Sequence, residues 1–320
     1  MQAFVRTVVI LMWLPMVATA QDSDRMSAMR AAYAEWLVRN EITGTGALAY
    51  QETPVTAIGD ATAPIELASV SKSITALCAA ALSDAGQLDF SHAVRDLLGK
   101  GPDVSVGSLV THTSGIVADI TQPLMVLWLN SDDHRADIVL NLMKDPVGVP
   151  GAYAYNNVNY ALLALVIEAS TGADYESTCR RLVLDPAGAR GQASERSGGF
   201  LSWGGWAMSP FDYARVHGYW YGPGTNTGRN PFDYPHVALD DAGVFYGLGT
   251  AFRASHIGDG IYDFWHFGAL CFSGLFNVGA YAVTWAGGWT VVLGYDGCVD
   301  RAARRDLDEM MRRAAQGPFE

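Results

Sequence analysis

Ser69 and Lys72 lie three residues apart at the head of an uncharged, helix-forming run, which puts a hydroxyl and an amine on one helical face. A serine hydroxyl is a poor nucleophile until a neighbouring base takes its proton, and a lysine is that base only if its own pKa falls. Burial lowers it. Moving a lysine from about 10.4 to the roughly 7–8 useful at neutral pH takes about 3 units, roughly 4 kcal/mol of differential solvation. Arginine could not serve, and among 21 Lys plus Arg only Lys72, Lys100 and Lys144 are lysines. Taken alone, the pair is equally an N-cap serine followed by a lysine whose stem packs on the surface.

Two further segments carry groups of the right kind. Tyr155 and Asn157, two apart in a loop entering a helix after Pro150-Gly151, point the same way if the loop is extended. A phenol can shuttle protons and an amide can orient a lysine and a substrate carbonyl; the plainer account is a packed aromatic and an asparagine N-cap. His266-Phe267-Gly268, then Ala269, falls at the end of an expected strand. Glycine there lets a substrate lie close, and a backbone N–H just beyond could hold a developing oxyanion. The alternatives are a packed core histidine and a glycine bulge.

These segments need elements to hold them. Val70, Ile74, Leu77, Ala81 and Leu82 recur at helical spacing and Gly86 stops the helix. Asp22 to Ile42 reads as an amphipathic helix, Ala47–Gln51 and Val55–Ile58 as short strands, and Asn157–Ser170 as a helix closed by Gly172. Four aromatic and β-branched runs follow, Val244–Phe252, Tyr262–Phe267, Phe276–Trp285 and Trp289–Tyr295, with Ala286-Gly287-Gly288 as a hairpin turn and a closing helix over Asp300–Ala315. Strands at both ends with helices between imply an α+β fold, its antiparallel sheet built from both termini and flanked by helices, with a helical lobe inserted. The sheet part is expected at about 21–85 and 240–320, the lobe at about 86–239.

Arg6, the apolar run Thr7–Val17 and Ala18-Thr19-Ala20 read as a signal peptide over residues 1–20, so the mature chain is expected in the periplasm or outside the cell, with no transmembrane anchor once the leader is cut. Removing residues 1–20 takes away one arginine and no acid, which changes the net charge from −12 to −13. That balance, with no basic run, makes nucleic acid a poor partner. Cys78, Cys179, Cys271 and Cys298 form no C-x-x-C pair and the seven histidines show no ligand spacing, so neither a metal nor another cofactor is expected. Cys271 and Cys298 could meet on neighbouring strands, while Cys78 reads equally as a free buried thiol.

The ordered set Ser69-x-x-Lys72, Tyr155-x-Asn157 and His266-x-Gly268 resembles the three motifs of the serine β-lactamase and penicillin-binding protein superfamily, in the branch of class C β-lactamases, D-Ala-D-Ala peptidases and related esterases. Glu66–Thr75, Gly86-Gln87-Leu88-Asp89, Leu109–Gly115 and Gly204–Tyr213 extend the likeness over roughly residues 45–295. The resemblance implies a β-lactamase/transpeptidase-like fold over residues 21–320. It makes Ser69 the nucleophile, Lys72 its activating partner, Tyr155 a sharer of the proton transfers and Asn157 an orienting group, with the N–H groups of Ser69 and Ala269 as oxyanion hole. It makes His112 and Ser114 loop scaffold. True β-lactamases of this branch carry Lys-Thr/Ser-Gly in the third motif; His266 and Phe267 are poorly suited to a carboxylate, so weak β-lactam turnover is expected.

The leading expectation is an exported serine hydrolase that forms an acyl-enzyme on Ser69 and cleaves a small ester, amide or short peptide, with Asn157, His266, Gly268 and Ala269 around the substrate. The alternatives are a D-amino-acid peptidase acting on peptidoglycan-type peptides and a non-catalytic cell-envelope scaffold. A p-nitrophenyl ester tests the second of these.

Overall fold

The computed structural model describes residues 20–51, 53–143, 148–239 and 242–317. In chain order, helix α1 (Ala20–Arg39) leads into β1 (Thr43–Tyr50), β2 (Thr53–Ile58) and the short β3 (Ile65–Glu66). Helices α2 (Ser71–Asp84) and α3 (Asn157–Thr171), strands β4 (Gln192–Ala193) and β5 (Trp206–Met208) and helix α4 (Pro210–Tyr221) follow. The last part supplies β6 (His236–Ala238), β7 (Val244–Gly247), β8 (Thr250–Ala254), β9 (Tyr262–Phe272), β10 (Phe276–Thr284), β11 (Trp289–Asp296) and helix α5 (Arg301–Gln316). The signal peptide expected over residues 1–20 lies, but for Ala20, outside the described residues. No described helix is long and apolar enough to cross a membrane, and no described group of His, Cys, Asp or Glu could hold a metal ion.

One eight-stranded antiparallel sheet, ordered β2-β1-β11-β10-β9-β8-β7-β6, is assembled from both ends of the chain. The two parts of the chain meet where β1 pairs with β11, from Thr43 opposite Asp296 to Tyr50 opposite Trp289. Side chains alternate across these strands, so both faces are apolar and both must be covered. Leu48, Tyr281, Val283, Val291 and Leu293 meet Met29, Tyr33 and Trp36 of α1 and Leu307 and Met311 of α5. The intervening Ala47, Ala49, Ala280, Ala282 and Val292 join the larger core on the other face. Small residues there let α4 lie close across β1, β10 and β11, so a helix inside the segment read as an inserted lobe covers the sheet instead.

Three local expectations change. The run Val244–Phe252 is a hairpin, because Leu248 and Gly249 both take positive φ (52° and 76°) between β7 and β8. A side chain at Gly249 would stand 2.5 Å from the Lys72 carbonyl, so this turn is pressed onto the start of α2. Strand β9 runs on to Phe272 along β10, which leaves His266 in mid-strand rather than at its end. Cys271 and Cys298 are disulfide-bonded, but not across neighbouring strands: Cys271 is in β9, Cys298 follows β11, and β10 lies between. Cys78 and Cys179 are free and buried.

Candidate active site

Ser69 sits on a single 3-10 turn, Ala68–Val70, before α2 rather than inside it, and caps neither. Ala68 holds φ +47°, a left-handed conformation that an alanine adopts at a cost, and such strain concentrates at functional positions. The surrounding polar side chains are all engaged. Ser71 Oγ accepts the Trp206 N–H (3.1 Å), Ser73 Oγ donates to the Val70 carbonyl (2.8 Å) and Thr75 Oγ1 to the Ser202 carbonyl (2.6 Å). Glu66, on β3, takes the hydroxyls of Ser194 and Ser197 on its two oxygens, which ties the segment before Ser69 to the turn leading into residues 201–204. Burial pushes the Glu66 carboxyl up and those two bonds pull it part of the way back.

Lys72 is fully buried, so its stem does not lie on the surface. Its Nζ donates to Asn157 Oδ1 (2.8 Å) and to the Trp203 carbonyl (2.8 Å), and stands 3.5 Å from Ser69 Oγ. Desolvation lowers its pKa from 10.5 to about 7, opposed in part by the charge of Asp119. A neutral amine has two hydrogens and one lone pair. With both hydrogens accepted by Asn157 and Trp203, the lone pair is left for the third direction, that of Ser69.

Asn156, not Asn157, caps α3, its side chain accepting the Val158 N–H. Asn157 is buried behind Lys72: Oδ1 takes the lysine, Nδ2 donates to Thr121 Oγ1 (3.2 Å) and its backbone N–H donates to Asp119 Oδ2 (3.2 Å). Both ends of the amide are thus used on protein groups, and Asn157 is not among the residues lining the cavity over Ser69. Tyr155 does line it. Its ring centroid lies 4.9 Å from Lys72 Nζ. Burial pushes its phenol up and the neighbouring Ser69 hydroxyl offsets part of the push; with 43 % of Tyr155 exposed, solvent tempers the rise, and either way the hydroxyl keeps its proton at neutral pH.

Sequence reasoning missed Asp119, Thr121 and the Trp203 carbonyl. Asp119 had a signal: it is the only Asp, Glu, Lys or Arg between Asp103 and Asp132. His112 and Ser114 form no dyad. Ser114 Oγ donates to Asn159 Oδ1 (2.6 Å), and His112 Nδ1 accepts the Asn156 N–H (3.2 Å), so both hold the loop entering α3.

Strand β9 makes the other wall. A side chain at Gly268 would meet the Leu67 carbonyl at 2.4 Å, Ala68 Cβ at 2.9 Å and Ser69 N at 3.0 Å, so only glycine lets β9 pass this close to the peptide of Ser69. His266 faces Tyr155 and Tyr246 with its Nδ1 unpartnered; burial first, then the Lys72 charge, lower its pKa to about 3, so the ring is neutral. Phe267 stacks on Tyr281 on the opposite face of the sheet. The result is a cavity of about 490 Å³ lined by Ser69, Tyr155, His266 and Ala269 among others. Ser69, Lys72 and Tyr155 therefore converge from α2 and the loop before α3, with β9 alongside.

The model of the family described as Beta-lactamase matches residues 24–215. The chain belongs to the beta-lactamase family. Among curated relatives of this beta-lactamase-family chain, penicillin-binding protein 4* of Bacillus subtilis (strain 168) is 34 % identical over 137 residues, 38 % of this chain and 29 % of that protein. Protein flp of Staphylococcus aureus (strain MW2) is 29 % identical over 136 residues, 39 % and 27 % of the two. The matches thus span under a third of these relatives' length. Solved structures share the fold: a class C beta-lactamase (TM-score 0.70, 15 % identity, covering 95 % of this chain and 99 % of that one) and a D-stereospecific amidohydrolase from Streptomyces sp. (0.69, 17 %, 90 % and 98 %). A penicillin-binding protein from Bacillus halodurans is as similar (0.68, 19 %, 89 % and 99 %).

Proposed function

We propose that this hydrolase forms an acyl-enzyme on Ser69 and cleaves an ester or amide, with Lys72 as the base of acylation. The observation that carries the reading is the buried amine 3.5 Å from Ser69 Oγ, its two other directions taken by Asn157 and Trp203. Ser69 Oγ attacks the substrate carbonyl and its proton passes to Lys72 Nζ. The oxyanion lies between the N–H groups of Ser69 and Ala269. Lys72 and Tyr155 return the proton to the departing oxygen or nitrogen, and the same pair takes a proton from the water that releases the acyl group. Tyr155, already protonated, serves as donor rather than first acceptor. The neutral His266, in place of a cation, supports weak β-lactam turnover. Arg6, the apolar run Thr7–Val17 and Ala18-Thr19-Ala20 support export, as does the Cys271–Cys298 bond, which suits an oxidising compartment.

A fluorophosphonate probe should label Ser69, and p-nitrophenyl butyrate hydrolysis should vanish in Ser69→Ala; labelling of another serine, or turnover that survives the substitution, rejects the reading. A D-amino-acid peptidase is the second reading, supported by the fold shared with the Streptomyces amidohydrolase. Release of D-Ala from a model peptide faster than ester turnover would favour it.

A further inference from the structure

A second cavity lies on the face of the sheet covered by α1 and α5, and at about 600 Å³ it is larger than the one over Ser69, with which it shares no lining residue. Trp285 and Trp289, on either side of the turn joining β10 to β11, give it an apolar floor, and both are more than nine-tenths buried. Ile257, in the connection between β8 and β9, also lines it with 65 % of its surface exposed, an apolar side chain that the protein itself does not cover.

The charged groups around this floor divide into those already matched and one that is not. Asp263 accepts the Ala286 N–H at 3.0 Å and lies 3.5 Å from Arg253 Nε. Arg312, near the end of α5, donates to Glu309 (2.8 Å) and to Gln316 (2.8 Å). Arg25, on α1, has no hydrogen-bonded or ion-paired partner among the described residues, and its Nε is shut off from solvent as well. The indole N–H of Trp289 is likewise buried without an acceptor, inside a residue only 3 % exposed. Leaving a buried donor unsatisfied costs about 1–3 kcal/mol. Two such donors on one cavity, one of them carrying the only uncompensated charge among its Arg and Asp side chains, call for an anionic acceptor that the described residues do not supply.

We propose that this cavity is a binding site, separate from Ser69, for a small monocarboxylate with an apolar body. Arg25 and Trp289 Nε1 take the carboxylate, and the apolar part lies among Trp285, Trp289 and Ile257. A guanidinium and an indole N–H can only donate, and a carboxylate can only accept; its single charge matches the single unpaired cation, and its planar pair of oxygens suits the guanidinium fork. The site requires nothing of the acyl-enzyme reading, so the two stand or fall apart.

Titration calorimetry with 4-phenylbutyrate and its uncharged counterpart 4-phenylbutyramide tests this. The acid should bind about tenfold more tightly than the amide, and Arg25→Ala should bring the two level, with Arg25→Lys keeping part of the difference. Gly287→Phe should abolish binding of both. Gly287 lines the cavity, a Cβ there meets nothing within 4 Å and its φ lies outside the left-handed region, so the ring enters open space without forcing the backbone; circular dichroism checks that the fold is kept. In a nitrogen-15 spectrum, the indole N–H signal that Trp289→Phe removes should move as the acid is added. No binding at millimolar concentration, an amide that binds as well as the acid, an indole signal that stays in place, or an affinity unchanged in Arg25→Ala or Gly287→Phe each overturns the proposal. The Ser69→Ala protein should bind the acid as wild type does whether or not Ser69 is a nucleophile; loss of binding there would put the acid over Ser69 and overturn it too. Deleting Pro318-Phe319-Glu320, which follow α5 by one residue, should leave the affinity within about twofold, and a gain of about tenfold would make that segment the occupant and sink the proposal.

Discussion

The pH dependence of acylation should be that of Lys72 and of no histidine. Burial lowers the amine from 10.5 to about 7, a penalty of about 5 kcal/mol on its charged form. Only the neutral amine accepts the Ser69 proton, so kcat/KM for p-nitrophenyl butyrate should rise with pH and level off above about 8, falling about tenfold for each unit below about 7. A limb near neutrality is usually assigned to a histidine, but His266 is held neutral at about 3 and His112 well below its ordinary value, both first by burial and then by the Lys72 charge. His266→Asn should therefore keep the limb. Lys72→Arg, which cannot give up its proton, should cost about 10²–10⁴ in rate. The same shift acts on folding. Between about pH 7 and 10.5 the unfolded chain keeps a proton on Lys72 that the folded chain has released, so stability rises with pH across that window, and the cost is full below about 7. Denaturant unfolding from pH 6.5 to 9.5 should show the rise in wild type and lose the Lys72 part of it in Lys72→Met. A flat rate profile from pH 6 to 9, or a limb that persists in Lys72→Arg, refutes the reasoning.

Gly268→Ala should destabilise by about 1–3 kcal/mol, because the new methyl meets the Leu67 carbonyl and Ala68, and should slow Ser69 labelling more than a hundredfold; a thermal melt and a labelling time course read both. Glu66→Ala leaves the Ser194 and Ser197 hydroxyls without their acceptor, a loss of about 1–3 kcal/mol, and loosens the turn that presents the Trp203 carbonyl. Its kcat should fall while KM holds, with a lowered midpoint in the pH profile, because the charged amine loses an acceptor. Replacing Cys271 and Cys298 by serine opens a loop of sequence separation 27 and should cost about 3 kcal/mol by urea titration.

The meeting of Ser69 and Lys72 was legible because a lone lysine in an uncharged helical run has few structural uses, and it proved fully buried. The sheet was legible because the aromatic and β-branched runs after Val244 and the two short strand-like pieces near the other end need one another. What escaped has a physical reason in each case. A backbone carbonyl such as that of Trp203 looks the same at every residue, so nothing in its side chain announces that it holds an amine. Leu248 and Gly249 continue an apolar run, and the turn between β7 and β8 shows only in their dihedrals. Asn156 and Asn157 are identical residues, and only the start of α3 decides which caps and which orients. The helical pattern of α5 displays its buried stripe, while the disulfide that reaches across β10 to tie the start of α5 to β9 shows only in the structure.

The pairing of β1 with β11 sets an order of events on the chain's birth. Strand β1 has only β2 beside it until residues near 290 exist, and Gly268 cannot seat against Leu67 and Ser69 before its own strand is made. A nascent chain ending anywhere short of the last hairpin holds the serine and the lysine yet lacks the wall beside them. On the mechanism proposed above, activity therefore waits for that hairpin to be made.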